Sequence, residues 1–220
     1  VNELAFDTAT TACVVALRRA DGELFEHRPP AARLREQPAH TTELLPAIVR
    51  LADGAGITLG EIDRVAVGVG PGAFTGLRIG VASARAIATA NGCRLVAFSS
   101  LAALAGTAHS PLLDARRGEF YFRVDGVDRL AGPDAAVAAL AAAGLPVVGE
   151  GALVLRGALI AAGLTVPPDD APDHVATAAA LLAAAAGGEP LEPAVVVPNY
   201  IRPPDAKVSA RASWLAGSGR

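Results

Sequence analysis

Aromatic side chains are scarce in this sequence: one tryptophan, two tyrosines and six phenylalanines among 220 residues. That scarcity excludes a core organised around rings. Alanine, valine and leucine must supply the packing, and such small side chains favour close approach between elements. Hydrophobic residues still make up 52% of the chain, enough to bury a substantial core in one large or two small domains. Methionine is absent and lysine occurs once, as Lys207, so the cationic charge is almost all arginine. Nineteen basic against 22 acidic residues give a formal net charge of −3. The chain as a whole therefore has no electrostatic reason to coat nucleic acid, and the arginines at Arg18, Arg19, Arg28, Arg33 and Arg35 read as a solvated edge. Cysteine occurs twice, at Cys13 and Cys93, in apolar strand-like runs. Two buried free thiols and a cytoplasmic setting are expected from that. No segment reaches the length needed to span a bilayer, and "VNELAFDTAT" opens straight into a strand without leader-like regions, so neither a membrane association nor a leader is expected.

Along the chain, "ELAFDTA", "ACVVALRR" and "ELFEHR" read as three strands joined by short turns, hence antiparallel hairpins. In "TTELLPAIVRLADGAG", Leu44, Ile48 and Leu51 recur at helical spacing, with Pro46 expected in the first turn or at a bend. Thr58 and Glu61 form a capping-box pattern. A buried strand "RVAVGVG", a helix ending near Gly92, a strand "RLVAF" and a helix at "SSLAALAGTA" complete a first half of pattern βββαβαβ. The second half repeats the plan more loosely: "PLLDA", a turn at "RRG", "EFYFRV", a "DG" turn, and a helix "PDAAVAALAAAG" with Pro133 near its start and Gly144 past its end. A strand "PVVG", one helix through "LVLRGALIAAG", a short strand "LTV" and an alanine-rich helix from Val175 to Ala186 follow, with no evident third hairpin strand. The proline-rich "PLEPAVVVPNYIRPP" reads as an extended connector. The pattern is a duplicated α/β unit, divided into residues 1–103 and 104–220.

The segment "VGVGPGAFTGLRIGVASARAIA", Val67 to Ala88, places Gly72, Gly76, Gly80, Ala84 and Ala88 four residues apart, on one helical face. Each interior glycine costs about 1 kcal/mol against alanine, so the bare face needs a purpose. A P-loop fails because Leu77 and Arg78 stand where Lys and Ser/Thr would be. A dinucleotide fingerprint from Gly68 to Ala73 lacks the carboxylate after the next strand. An anion site at the helix start, or a simple N-cap at Thr75, would use only the first turn. The ladder runs three turns further, which suits a closely packed neighbour, either within this chain or from another.

"GPGAFTGLRIGVASARAIA", "HTTELLP", "LLDARRGEFYF" and "DTATTACVVAL" together resemble the TsaB (YeaZ) family over most of the chain, with "PNYIR" a weaker echo. The resemblance implies a duplicated ribonuclease-H-like fold of the actin/Hsp70/sugar-kinase superfamily. It also implies a role in making threonylcarbamoyladenosine in tRNAs that read ANN codons. Members of that family are non-catalytic partners of TsaD. TsaE joins them, a homodimer forms when TsaD is missing, and tRNA is met only through the complex. The implied partner interface comprises His40, Leu44, Leu45, Ile48, Gly72, Phe74, Thr75, Gly76, Arg78, Gly80, Ser83 and Ala84. On that reading Gly80→Leu spares the monomer and abolishes pairing. Asp7 and Thr8, and Asp114, Arg116 and Glu119, sit where relatives in the superfamily carry phosphate hairpins. They are candidates for a nucleotide or TsaE contact, or else plain turn-holding residues.

The residues themselves give no local metal site, because His27, His40, His109 and His174 are never within one helical turn of another. No cofactor or metal is expected. Two rival functions keep a footing: an ATP-dependent kinase or ATPase of the sugar-kinase kind, and a peptidase using Ser99, Ser100 and His109. Neither has its motif, since no glycine-rich adenosine loop and no nucleophile elbow can be identified.

Overall fold

The computed structural model describes residues 1–202. The chain opens with strands β1 (Glu3–Asp7), β2 (Val14–Arg18) and β3 (Leu24–His27), then a 3-10 turn at Ala31–Arg35 and helix α1 (His40–Gly54). Next come β4 (Arg64–Gly68), α2 (Phe74–Ala90), β5 (Leu95–Phe98) and α3 (Ser100–Ala105). The second half carries β6 (Ser110–Asp114), β7 (Phe120–Val124), β8 (Val127–Ala131), α4 (Pro133–Ala143), β9 (Val147–Val148), α5 (Glu150–Val154), α6 (Arg156–Ala161) and α7 (Ala178–Ala186). One sheet has the order β3-β2-β1-β4-β5 and the other β8-β7-β6-β9. In both, a three-stranded antiparallel meander is followed by a strand that pairs parallel to the first. The duplication is therefore visible in the strand order itself.

Strand β8 is the third hairpin strand that the sequence pattern hides. Asp125 and Gly126 both take positive φ (51° and 75°), as a two-residue hairpin turn requires. Beyond the turn, Val127 is exposed and Asp128 and Arg129 are polar, so β8 lacks apolar alternation. Its five residues nevertheless pair in register with β7. Pro46 lies inside α1, past the first turn. The expected single helix after β9 is two short ones meeting at Leu155, where the bend lets Arg156 donate to the carbonyls of Val166 and Pro167. "LTV" forms no strand, although the Thr165 carbonyl accepts from Val147 N. The Thr58–Glu61 capping box forms as expected. So do the first-turn Pro133 and the left-handed Gly144 that bracket α4. Residues beyond 202, including the last dozen, lie outside those described.

Alternation along β1 sends Leu4 and Phe6 to one face, where α1 and α2 cover them with Leu44, Ile48, Val81 and Ala84. Ala5, with Ala16 and Ala66, faces the other way, against Ala178, Leu181 and Ala185 of α7. Alanine on both sides lets helix and sheet approach closely, which is how a chain poor in rings fills this layer. This packing runs across the division at residue 103/104. Helix α7 covers the first sheet, and Leu191 pairs with Leu95 of β5.

The glycine ladder is also spent inside the chain. A Cβ at Gly72 would lie 2.5 Å from the Ala9 carbonyl oxygen. One at Gly76 would drive into the Thr8 carbonyl, and one at Gly80 into the Thr8 hydroxyl. Thr8 Oγ1 donates to the Gly76 carbonyl at 2.8 Å, and Ala84 and Ala88 are fully buried. So Gly76, Gly80 and Ala84, with the buried Leu44 and Ile48, belong to this chain's own core rather than to a partner's footprint. Gly72 likewise serves the turn after β1. Gly76→Ala should destabilise the protein by about 2–3 kcal/mol, since the obstructing atom is backbone, and Gly80→Leu should unfold it rather than spare it. Urea denaturation of both variants measures this, and unchanged midpoints would refute the assignment.

Candidate functional site

Helices α1 and α2 lie side by side over one face of the first sheet. Their outward sides carry a different set of residues from those buried. On α1, Leu45 and Val49, one turn apart, are 51% and 42% exposed. On α2 the exposed positions Phe74, Arg78, Ala82 and Ala86 recur every four residues. The sequence-predicted residues thus separate. Leu45, Phe74, Thr75 and Arg78 are exposed and Ser83 is half-buried, whereas His40, Leu44, Ile48, Gly76, Gly80 and Ala84 are buried. Thr75 is not a cap, because α2 starts at Phe74 with Ala73 as its uncapped N-cap residue. The His40 ring is 3% exposed, with the Thr10 backbone beside it. Burial holds its pKa below the ordinary histidine value, against the pull of Glu43.

The start of α2 is fixed by a segment the sequence marked only weakly. Tyr200 stacks on Phe74 with ring centroids 5.1 Å apart, and the Arg78 guanidinium lies 4.1 Å over the Phe74 ring and donates from Nε to Tyr200 Oη at 3.1 Å. Asn199 N donates to the Val69 carbonyl at 2.7 Å. Ile201 packs on the second-sheet core, and Arg202 donates to the Ala115 carbonyl at 2.8 Å and pairs with Glu119. "PNYIR" therefore stitches the α2 start to the β6–β7 turn.

The turns after β1 and after β6 occupy equivalent places in the two sheets. Asp7 Oδ1 accepts from Ala9 N at 2.6 Å. Burial raises the Asp7 pKa, opposed by hydrogen bonds from Ser100, Ala9 and Thr8. Beside Asp7, Ser100 and His174 there is a cavity of only about 30 Å³, room for a water molecule and not for a nucleotide. His174 is buried, accepts from Gly149 N at Nδ1 (3.1 Å) and so carries its proton on Nε2, facing the Pro168 carbonyl at 3.0 Å. In the second turn Asp114 accepts from Arg116 N at 2.7 Å and pairs with its guanidinium at 3.1 Å. Both turns are thus held by their own aspartates, and Glu119 serves Arg202 instead.

Near the second turn lies Glu150, which sequence reasoning passed over. Burial pushes its carboxyl up to about 7, with Arg116 opposing and Asp114 reinforcing that shift. Its one signal in the sequence is an acid between Gly149 and Gly151, straight after a strand. Ser99 caps α3 and donates to Asp128 at 2.6 Å, and neither it nor Ser100 is hydrogen-bonded to His109. Among the described residues no three His, Cys, Asp or Glu side chains gather as ligands for a metal. The arginines of the first strands are engaged: Arg18 with Glu3, Arg19 with Asp21, Arg33 with Glu43, Arg35 with Asp169, and Arg28 with the Pro172 and Val175 carbonyls.

Residues 35–146 match the TsaD family, described as tRNA N6-adenosine threonylcarbamoyltransferase. An uncharacterized protein of Mycobacterium tuberculosis is 37% identical over 210 residues, 93% of either chain. The tRNA threonylcarbamoyladenosine biosynthesis protein TsaB of Escherichia coli is 35% identical over 127 residues, 54% of this chain and 52% of that protein. The structure of YeaZ from Pseudomonas aeruginosa superposes with a TM-score of 0.71 at 28% identity, covering 91% of this chain and all of that one. A second Pseudomonas aeruginosa structure, of an uncharacterized protein with similarity to peptidase YeaZ, is 31% identical with a TM-score of 0.70.

Because the buried Asp7 carboxyl ionises less readily than it does in the unfolded chain, its contribution favours the fold most at low pH. That contribution declines as pH rises from the ordinary aspartate range toward the raised folded value. Asp7→Asn should remove the decline, so the urea midpoint of the variant should gain on the parent as pH rises above the ordinary aspartate range. Parallel pH profiles for the two proteins would contradict the buried-carboxyl assignment.

Proposed function

The chain belongs to the TsaB (YeaZ) family, and on that premise we propose that it acts in tRNA threonylcarbamoyladenosine synthesis as the docking partner of a TsaD-type protein, without catalysing the transfer itself. One observation carries this reading: the α1–α2 pair is buried on its small-residue side and leaves Leu45 and Val49 outward, beside the stripe from Phe74 to Ala86. Fully burying a Leu or Val side chain is worth about 1.5–3 kcal/mol. An arginine stacked on Phe74 and hydrogen-bonded to the Tyr200 hydroxyl, at the end of such a face, suits an interface anchor. The same face serves a second copy of this chain when TsaD is absent, so the two partners compete. TsaE joins the pair, and tRNA is met through the assembly.

The non-catalytic part of the reading is supported by the turn after β1. There Asp7 is turned onto its own backbone, and the space beside it admits no more than a water. Replacing both Leu45 and Val49 with arginine should leave the unfolding free energy within about 0.5 kcal/mol of the parent and weaken pairing with TsaD by roughly 100-fold or more. Calorimetric titration with the TsaD of the same organism reads this directly. Undiminished affinity would place the interface elsewhere, and ATP turnover by the lone chain would remove the non-catalytic assignment.

A further inference from the structure

Between the 3-10 turn and the β6–β7 turn lies a cavity of about 390 Å³ that the docking face does not use. It has the volume of a small-molecule site. Leu34, Pro38, Leu153 and Val154 give it apolar walls, and Glu150 and Asp114 bring carboxylates to it. We propose that this cavity binds a small organic cation, an ammonium or guanidinium group on a short apolar stem, with Glu150 as its counter-ion.

The charge pairing around the cavity decides the sign of the ligand. Asp114 and Arg116 neutralise each other across their own turn. Glu36 is paired with Arg33 at 2.5 Å, and Arg35 is paired with Asp169, which also takes Arg156 at 2.5 Å. Glu150 is the lining charge without a side-chain partner among the described residues. A phosphate entering here would meet three carboxylates and find both arginines engaged. A cation would give Glu150 the partner that its protein surroundings withhold, and a charge-assisted hydrogen bond in a recess is stronger than a neutral one. The apolar walls favour a stem of a few methylenes over a hydrated metal ion.

Proton competition follows from the same geometry. Burial pushes Glu150 up to about 7, with Arg116 opposing and Asp114 reinforcing from the turn, and Arg35 and Glu36 line the cavity from the 3-10 side. It must be ionised to hold a cation, so affinity should rise with pH. The cation has two possible sources: a free amine or guanidine, or a lysine or arginine side chain inserted by a partner protein.

The test uses the full chain and n-butylguanidinium, which stays charged throughout, read by calorimetry or NMR titration. Saturable 1:1 binding is expected, about 1 mM or tighter for so small a probe, with affinity rising roughly tenfold from pH 6 to pH 8. Glu150→Gln keeps the shape and should lose tenfold or more at pH 8. Val154→Trp, on the exposed rim, should obstruct the probe without touching the charge. Displacement of the probe when TsaD and TsaE are added identifies a partner's side chain as the natural occupant, and retention identifies a free amine. No saturable binding at pH 8, equal affinity in Glu150→Gln, or tighter binding of inorganic triphosphate than of the guanidinium would each overturn the proposal. The α1–α2 docking reading does not depend on any of these outcomes.

Discussion

Everything on the first sheet's covered face depends on α2 sitting directly on the turn after β1. Three glycines and the Thr8 hydrogen bond to the Gly76 carbonyl make that seat. Had any of them carried a side chain, the helix would have to lift, uncovering Phe6 and Val67 and freeing the Asp7 turn. The seat also decides what the protein shows to the outside. The stripe through residues 72, 76, 80, 84 and 88 and the stripe through 74, 78, 82 and 86 are two residues apart. At about 100° per residue they lie about 200° apart, on opposite sides of the helix. Pressing the glycines onto the home sheet therefore turns Phe74, Arg78, Ala82 and Ala86 toward solvent.

The second organising feature is the return of the chain from the second half to the first. Helix α7 covers the alanine face of the first sheet, and residues 199–202 tie the start of α2 to the β6–β7 turn. The two sheets share one folded body through these returning segments, although each has its own meander and crossover. The space beside Asp7 is nearly filled, whereas the cavity beside Glu150 is open.

Much of this was legible in the sequence. The hairpins, the alternation of Leu4, Ala5 and Phe6, the capping box at Thr58 and the bracketing of α4 follow from local rules that tertiary contacts did not override. The glycine ladder was legible as a close-packed face, but not its destination. Periodicity reports that a backbone comes near and is silent on whose backbone it is. Strand β8 escaped because an edge strand with Asp128 and Arg129 is held by backbone pairing and a turn, with little apolar signal. Tyr200 and Arg202 escaped for another reason: their partners, Phe74 and Glu119, are more than 80 residues away, and nothing local marks a long-range stack or ion pair.

Arginine usage links these observations. A planar guanidinium offers several donors in a fixed fork, and this chain spends them on its own loop carbonyls. Arg28 reaches Pro172 and Val175, Arg64 reaches Ala185, Arg156 reaches Val166 and Pro167, and Arg202 reaches Ala115. Each bond holds a loop or helix end that a core of small side chains grips weakly. Among the other described arginines, Arg18, Arg19, Arg33, Arg35, Arg94, Arg116 and Arg123 face carboxylates. The cost of this stapling is a surface with little unpaired positive charge, so a polyanion such as tRNA finds few free cations on the described residues. That fits the proposed division of labour, in which this chain contributes a shaped apolar helix face and the nucleic acid is held by its partners.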